Sequence, residues 1–453
     1  MESHQASEKD PGNLRRVLGL AAITAFGVGD ILGAGVYGLV GKIAGIVGSA
    51  AWMSYVLAGV TAALTGLTYA ELASRHPRAG GAAHFCERAF RNSLLTFLVI
   101  FFVASSGLFS MATASRVFAD YALAHAPGLH PLVREYVVPI AFVGLIAGVA
   151  VIGIALSSAA NTVCTVIEVS GLLAVIAVGI PFLGSISYLR FPEAVVEGRT
   201  LSAYPVAVLT GAAIAFYAFI GFEDMVNLSE EVIHPERNVP IGICLAILVT
   251  TLIYCAIALV SVSVVAPAAM SASRSPVLDV VRSAAPGFPV WIYSIIPGFA
   301  VFNTALLNLI MASRLLYGMA KQESRLVPAV LGYVHPRWRT PVVGVALSAL
   351  VTAGLLVSFR DVRTLASGTS TFLLVVFFLL HIALLRLKRR GGSAPTFSIP
   401  WMVPVAGAFT AVLLLVRQDA AAVRAAGILA LAALVLFAVN RLVRGKITVQ
   451  SVD

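Results

Sequence analysis

Twelve runs of about 20 or more largely apolar residues constrain this chain before anything else does, because each is long enough for a helix to cross a bilayer. They fall near 17–40, 46–72, 94–124, 135–157, 162–187 and 204–228, then near 240–265, 289–320, 342–359, 364–386, 399–416 and 422–443. In hydrocarbon a backbone polar group finds no water to pair with, so runs of this length span as helices. Composition agrees, since 59% of the 453 residues are hydrophobic and 11% charged, against roughly 25% charged in an ordinary soluble domain. The expected fold class is an all-α membrane protein with twelve transmembrane helices, embedded in a lipid bilayer.

In a soluble chain the net charge of +10 would suggest nucleic acid as a partner, but here the basic residues gather in particular loops and no nucleic acid is expected. Of the 31 Lys and Arg residues, 20 fall on one set of alternating loops and 10 on the other, with Arg116 left inside the third run. Cytoplasmic loops carry the excess, so both termini are expected in the cytoplasm; the expected location is the plasma membrane. Residues 1–13 are polar and the apolar segment behind them is too long for a leader, so no cleavable signal peptide is expected. Cys86, Cys164, Cys244 and Cys255 lack paired or metal-like spacing, which argues against a disulfide scaffold, a metal site or a cofactor. No nucleophile and base pairing or phosphate loop stands out, and an enzyme is not expected.

The first apolar run contains Gly27-Val28-Gly29-Asp30-Ile31-Leu32-Gly33-Ala34-Gly35-Val36-Tyr37, four glycines and a carboxylate. Each glycine weakens a continuous helix and an unpaired charge resists hydrocarbon, so the segment reads as a helix that opens. Freed N–H groups at Gly33-Ala34-Gly35, with the positive end of the following half-helix, suit a carboxylate, and carbonyls upstream suit a cation. Such a pair of subsites fits a zwitterion. The same glycines also suit close helix packing, because small residues four apart are common contacts in lipid.

The sixth run repeats the pattern: Phe216-Tyr217-Ala218-Phe219-Ile220-Gly221-Phe222-Glu223-Asp224 sets a glycine and two adjacent carboxylates in an apolar segment. Two interrupted helices, each opening a group of five spans, point to an inverted repeat with its site at the midplane. The expected organisation is a tail 1–16, a first repeat 17–187, a second repeat 204–390, two further spans in 399–443, and a tail 444–453.

In the fifth run, Asn161, Cys164, Thr165, Glu168 and Gly171 recur at spacings of three and four and share one helix face. Glu168 cannot face lipid at reasonable cost, so it is either a proton carrier or a structural acid hydrogen-bonded to a neighbour. Ser105, Ser106, Ser110 and Thr113 in the third run, with Asn303, Thr304, Asn308 and Ser313 in the eighth, either join helices or line a polar cavity. His381 is expected to pack inside the tenth run, and Arg116 to pair with Asp120 one turn further along its own helix.

These residues together resemble the amino acid/polyamine/organocation transporters, bacterial amino acid permeases in particular. The resemblance rests on the glycine motif of the first run, on Tyr69-Ala70-Glu71-Leu72 with Pro77-Arg78-Ala79-Gly80-Gly81, and on Phe216 to Glu223 leading into Glu230-Glu231-Val232. Ser313-Arg314-Leu315-Leu316-Tyr317-Gly318-Met319-Ala320 and His335-Pro336-Arg337-Trp338-Arg339-Thr340-Pro341 complete it.

The resemblance implies a five-helix inverted-repeat (5+5) fold plus two C-terminal helices, moving amino acids by alternating access. It places the substrate at Ile31, Gly33, Ala34, Gly35, Phe216, Tyr217, Ala218 and Ile220. Within that set the Ala34 and Gly35 backbone would hold the carboxylate, and the Ile31, Tyr217, Ala218 and Ile220 carbonyls the amino group. Tyr217 matches an aromatic that closes over the substrate, and Glu223 an acid implicated in coupling, although Glu223 also suits capping the second half-helix. Several proton-coupled relatives carry a lysine where this chain has Glu168, and that reversal of charge leaves Glu168, Glu223 and Asp30 as candidate coupling acids. Proton symport of neutral amino acids is the leading expectation. Exchange, transport of cationic amino acids or polyamines, and a membrane amino acid sensor are the alternatives.

Overall fold

The computed structural model describes residues 16–76, 81–124, 126, 128–152, 158–197, 203–321, 327–391 and 395–444. The remaining tail residues lie outside the described residues, as do Pro77-Arg78-Ala79-Gly80, Arg199, Arg325 and the side chain of Asn161.

Within these bounds the regular structure is helical, apart from one isolated bridge between Leu18 and Val232. The first apolar run is split into α1 (Leu20–Ile31) and α2 (Ala34–Val47), and Gly48, at φ +70°, turns the chain toward α3 (Ala51–Arg75). A short helix, α4 (Gly81–Phe90), leads to Asn92, whose side chain accepts from the Leu95 N–H at 3.1 Å and caps α5 (Ser93–Ala122). A π-helical turn, Val133–Val137, then runs into α6 (Val138–Ile152), followed by α7 (Ser158–Gly179) and the short α8 (Glu193–Glu197).

The sixth run begins as α9 (Ala203–Ala215) and breaks into two 3₁₀ segments, Phe216–Phe219 and Phe222–Leu228. Pro235 starts α10 (Pro235–Val264) at a position that needs no N–H partner. Two short helices, α11 (Pro267–Ala272) and α12 (Pro276–Ala284), form a hairpin before α13 (Val290–Lys321), α14 (Val342–Ser358) and α15 (Val362–Arg390). The last two helices are α16 (Met402–Leu415) and α17 (Ala420–Arg444).

Among the described residues nine stretches are long and apolar enough to cross a bilayer, and α1, α14 and α16 are shorter apolar helices. Twelve residues of α-helix rise only about 18 Å, so α1 needs α2 to complete a crossing.

Packing places the split run at the centre. α1 lies against α10 and α7, and α2 against α9 and α11, while α3 runs along α10 and α5 along α13 and α15. Aromatic rings fill the space between α3 and the second break: Tyr69 sits edge-on to Phe222 and Phe377, each with centroids 5.8 Å away. His381 is buried beside them and meets Thr68 at 2.9 Å and Thr65 at 3.4 Å, the packing role expected of it.

The two ends of the bundle are tied differently. At the end rich in basic residues, Glu71 is fully buried and binds Arg75 and Lys388, each at 2.6 Å, while accepting from the Ile399 N–H. There too, Val17 and Leu18 donate backbone N–H groups to the Glu231 carbonyl and Ile233 donates to the Leu18 carbonyl, strapping the start of α1 to the chain leaving the second break.

At the opposite end Arg116 departs from the expected pairing with Asp120. It binds Glu135 at 3.1 Å and the Glu135 carbonyl, and donates to the carbonyls of Leu356 and Phe359 at 2.9 and 3.2 Å. A four-residue spacing permits the intrahelical pair, but the neighbouring chain offers the guanidinium several acceptors at once. Asp120 goes instead to Arg274, at 3.4 Å.

Candidate functional site

The two broken runs meet at the centre of the bundle. In the first, Leu32 and Gly33 are extended between α1 and α2, so the leading N–H groups of α2, beginning at Ala34, have no earlier turn to bond to. In the second, Ile220 is extended and Gly221 adopts φ +130°, a region that penalises any side chain. A Cβ at Gly221 would lie 2.7 Å from the Asp30 carbonyl oxygen, and one at Gly35 would lie 2.6 Å from both Cα and Cβ of Ala218. Glycine therefore lets the two breaks touch backbone to backbone.

The four glycines of the motif differ in their surroundings. Gly27 and Gly29 lie within intact α1, where a Cβ would strike Met225 and Thr165, so they serve packing. Gly33 and Gly35 flank the opening and face Thr304 and Ala218.

A hydroxyl from a third element binds both breaks. The Tyr254 hydroxyl, on α10, lies 2.9 Å from the Ile31 carbonyl oxygen and 2.8 Å from that of Ala218. A phenol has one hydrogen, so it can satisfy only one of these carbonyls at a time and leaves the other with acceptor capacity. The Tyr217 carbonyl is also engaged, accepting from the Ile220 N–H at 3.3 Å.

Around this junction is a central cavity of about 50 Å³, lined by Asp30, Ile31, Gly33, Ala34, Gly35, Tyr217, Ala218, Ile220, Glu223 and Asp224 among others. Ser106 and Ser110 of α5 and Thr304 and Asn308 of α13 add polar groups to its wall, and Ser110 bridges Tyr217 and Asn308, 3.2 Å from each. Ser105, Thr113, Asn303 and Ser313 do not line it. Phe216 does not either: its ring is fully buried against Phe377. Four lining residues were not singled out from the sequence: Thr369 and Leu373 of α15, Met311 of α13 and Val103 of α5. The small polar run Ser367-Gly368-Thr369-Ser370 inside an apolar span was the available signal for the first.

The acids separate into two groups. Asp30, Glu223 and Asp224 also line a second cavity of about 400 Å³, which extends past Gly81, Asn227 and Arg314 toward the basic end. Glu223 accepts the Gly221 N–H at 2.9 Å, the capping role, and Asp224 accepts from Asn227 at 3.2 Å. One oxygen of Asp30 is buried without a partner.

Glu168 stands apart from both cavities, behind α1. It is 1% exposed, one of its oxygens has no hydrogen-bond partner, and its electrostatic neighbours are the phenols of Tyr37, Tyr254 and Tyr293. Thr165, one turn earlier on the same face, fills the space beside Gly29 of α1. Among the described residues no group of three or more His, Cys, Asp or Glu side chains is arranged to hold a metal ion.

Two tyrosines pack toward the end opposite the basic loops. Tyr37 and Tyr121 are buried edge to face with centroids 5.9 Å apart, and the Tyr121 hydroxyl donates to the Tyr37 carbonyl at 3.0 Å.

A helical membrane bundle with two facing helix breaks at a polar central cavity is the class defined by this geometry. The chain belongs to the amino acid permease family, whose model matches residues 18–437. It is similar to cationic amino acid transporter 3, mitochondrial, of Arabidopsis thaliana, at 29% identity over 82% of this chain and 62% of that protein. It is also similar to the methylthioribose transporter of Bacillus subtilis, at 26% identity over 89% of this chain and 88% of the relative. The branched-chain amino acid permease BcaP of the same bacterium is 26% identical over 87% of this chain and 86% of the relative. The chain spans about three fifths of the length of cationic amino acid transporters 3 and 2 of Arabidopsis thaliana.

Proposed function

We propose that this protein is a secondary active transporter that carries amino acids across the plasma membrane by alternating access. The observation that carries the reading is the junction of the two breaks, where the residues that carry the leading N–H groups of α2 and those that carry the broken runs' carbonyls line one cavity. An amino acid's carboxylate suits the former and its ammonium the latter. The carbonyl of Ile31 or Ala218 that Tyr254 leaves free is the natural acceptor for the ammonium.

The twelve-span, 5+5 organisation is part of the proposal. Its support is the pairing of like-placed helices: α3 packs on α10 and α5 on α13, second with second and third with third of two five-span halves. A pseudo-twofold axis in the membrane plane produces that pairing. With the basic end in the cytoplasm, the larger cavity is a cytoplasmic vestibule and the molecule is in an inward-facing arrangement.

Proton symport of neutral amino acids is the leading form. Glu168 is buried against the broken run without a cationic partner among the described residues, so its protonation state would bias how α1 packs. Transport of cationic amino acids is the second reading, favoured by the partnerless Asp30 oxygen at the seam of the two cavities. Uptake of a radiolabelled amino acid panel into proteoliposomes, with and without an imposed pH gradient, tests both. Accumulation separates a carrier from a sensor, and its dependence on the gradient separates symport from exchange.

A further inference from the structure

We infer that Arg274 is a detachable outer latch, holding the α11–α12 hairpin over the broken run while the cavity faces the cytoplasm. The inference rests on the alternating-access reading above and concerns what sets its conformational balance.

The hairpin is seated on α2. Lys42 donates to the Ser271 carbonyl at 3.1 Å, a Cβ at Gly41 would lie 2.3 Å from the Met270 carbonyl oxygen, and one at Gly45 would lie 2.2 Å from Ser271 Oγ. These contacts leave no room for a path along α2 from outside. The turn at the hairpin tip is braced internally, since Ser273 donates to Asp279 at 2.5 Å and accepts from the Ser275 N–H at 3.1 Å. Arg274 projects from this braced turn and reaches Glu135 at 2.7 Å and Asp120 at 3.4 Å, on the chain entering α6 and on α5.

Two arginines meet at Glu135 but differ in what release would require. Arg116 is 2% exposed and is also bound to the carbonyls of Leu356 and Phe359, so removing it from Glu135 strands a buried charge. Arg274 is 50% exposed, so water can take over its hydrogen bonds when the hairpin lifts. Arg116 is therefore the fixed post that keeps Glu135 in place, and Arg274 the arm that lets go. Opening the outer path separates the hairpin from α5 and α6, and the pairs broken in that step are those of Arg274.

The test labels Ser283 on α12 and Leu132, just before the π-turn that leads into α6, with spin probes, after replacing the native cysteines, and reads the distance distribution by pulsed dipolar spectroscopy. Arg274→Ala should increase the long-distance, hairpin-lifted fraction about fivefold, the size expected for loss of a partly exposed charge pair. The half-saturating external amino acid concentration should fall in parallel. Arg274→Lys should restore most of the short-distance population, and Asp120→Asn should shift it in the same direction as Arg274→Ala by a smaller factor. A folded Arg274→Ala protein with the wild-type distribution and wild-type external half-saturation, differing only in thermal stability, overturns the latch. If saturating amino acid shifts the wild-type distribution yet neither variant differs from wild type, the latch alone fails. If amino acid shifts no distribution in any protein, the alternating-access reading fails with it.

Discussion

Gly35→Ala is the substitution for which the structure gives the sharpest consequence. The new methyl carbon would lie 2.6 Å from Cα and Cβ of Ala218, whereas ordinary contact begins at 3.4 Å, so the two breaks must part by about 0.8 Å. Neither partner is the tip of a flexible side chain, so the strain falls on backbone. Overpacking of this kind costs about 1–3 kcal/mol, and the higher helix propensity of alanine offsets at most about 1 kcal/mol of it. Folding should survive with a modestly lower Tm.

Binding should suffer more, because a displacement near 1 Å in a site of fixed geometry costs about 100-fold. Isothermal titration of the purified variant with the best amino acid substrate should therefore show Kd raised by about that factor. Gly27→Ala is the control: its methyl would meet the Met225 sulfur at 2.3 Å, the end of a flexible side chain, so stability should change with affinity held. Wild-type affinity in a folded Gly35→Ala protein would remove the junction from the binding site.

Other outcomes follow from the same geometry. Free amino acids should compete for binding while N-acetylated and carboxamide derivatives compete poorly in a displacement assay, and a polyamine binding as well as the best amino acid would replace the neutral reading by the cationic one. Tyr254→Phe should leave the Ile31 and Ala218 carbonyls without their shared donor, lowering stability by about 1–3 kcal/mol in thermal unfolding. Glu168→Gln should retain binding and exchange but lose accumulation driven by a pH gradient in proteoliposomes. If Glu168→Gln accumulates like wild type and Glu223→Gln does not, the coupling acid is Glu223.

Much of this was legible in the chain because lipid makes local sequence speak for itself. A glycine pair beside a carboxylate inside an apolar run leaves few folded options, and the opening at Leu32 and Gly33 falls within the motif that signalled it. The same logic located Gly221, where the positive φ and the approach of the Asp30 carbonyl exclude a side chain. Ser110 and Asn308 were recognisable as polar residues on apolar helices, but that Ser110 links Asn308 to Tyr217 depends on how α5 and α13 pack.

Tyr254 was hidden for a different reason. A tyrosine in a long apolar run looks like core, and only the meeting of two distant carbonyls gives its hydroxyl a purpose. Arg116 misled because its helical spacing to Asp120 was sound, while its actual partner, Glu135, lies on a turn whose position no periodicity reports. Glu168 was placed on the correct helix face by spacing, yet its ring of tyrosines comes from α2, α10 and α13, all far away in sequence.

The most direct test of the central claim is an electron cryomicroscopy structure of the protein in lipid nanodiscs, saturated with the amino acid that proteoliposomes accumulate best, compared with a ligand-free map. The expected result is new density at the junction, its carboxylate against the N–H groups of Gly33 to Gly35 and its ammonium against the carbonyls of Ile31 or Ala218. Ligand density elsewhere, with Gly33 to Gly35 and Ala218 unchanged and uncontacted, would contradict it.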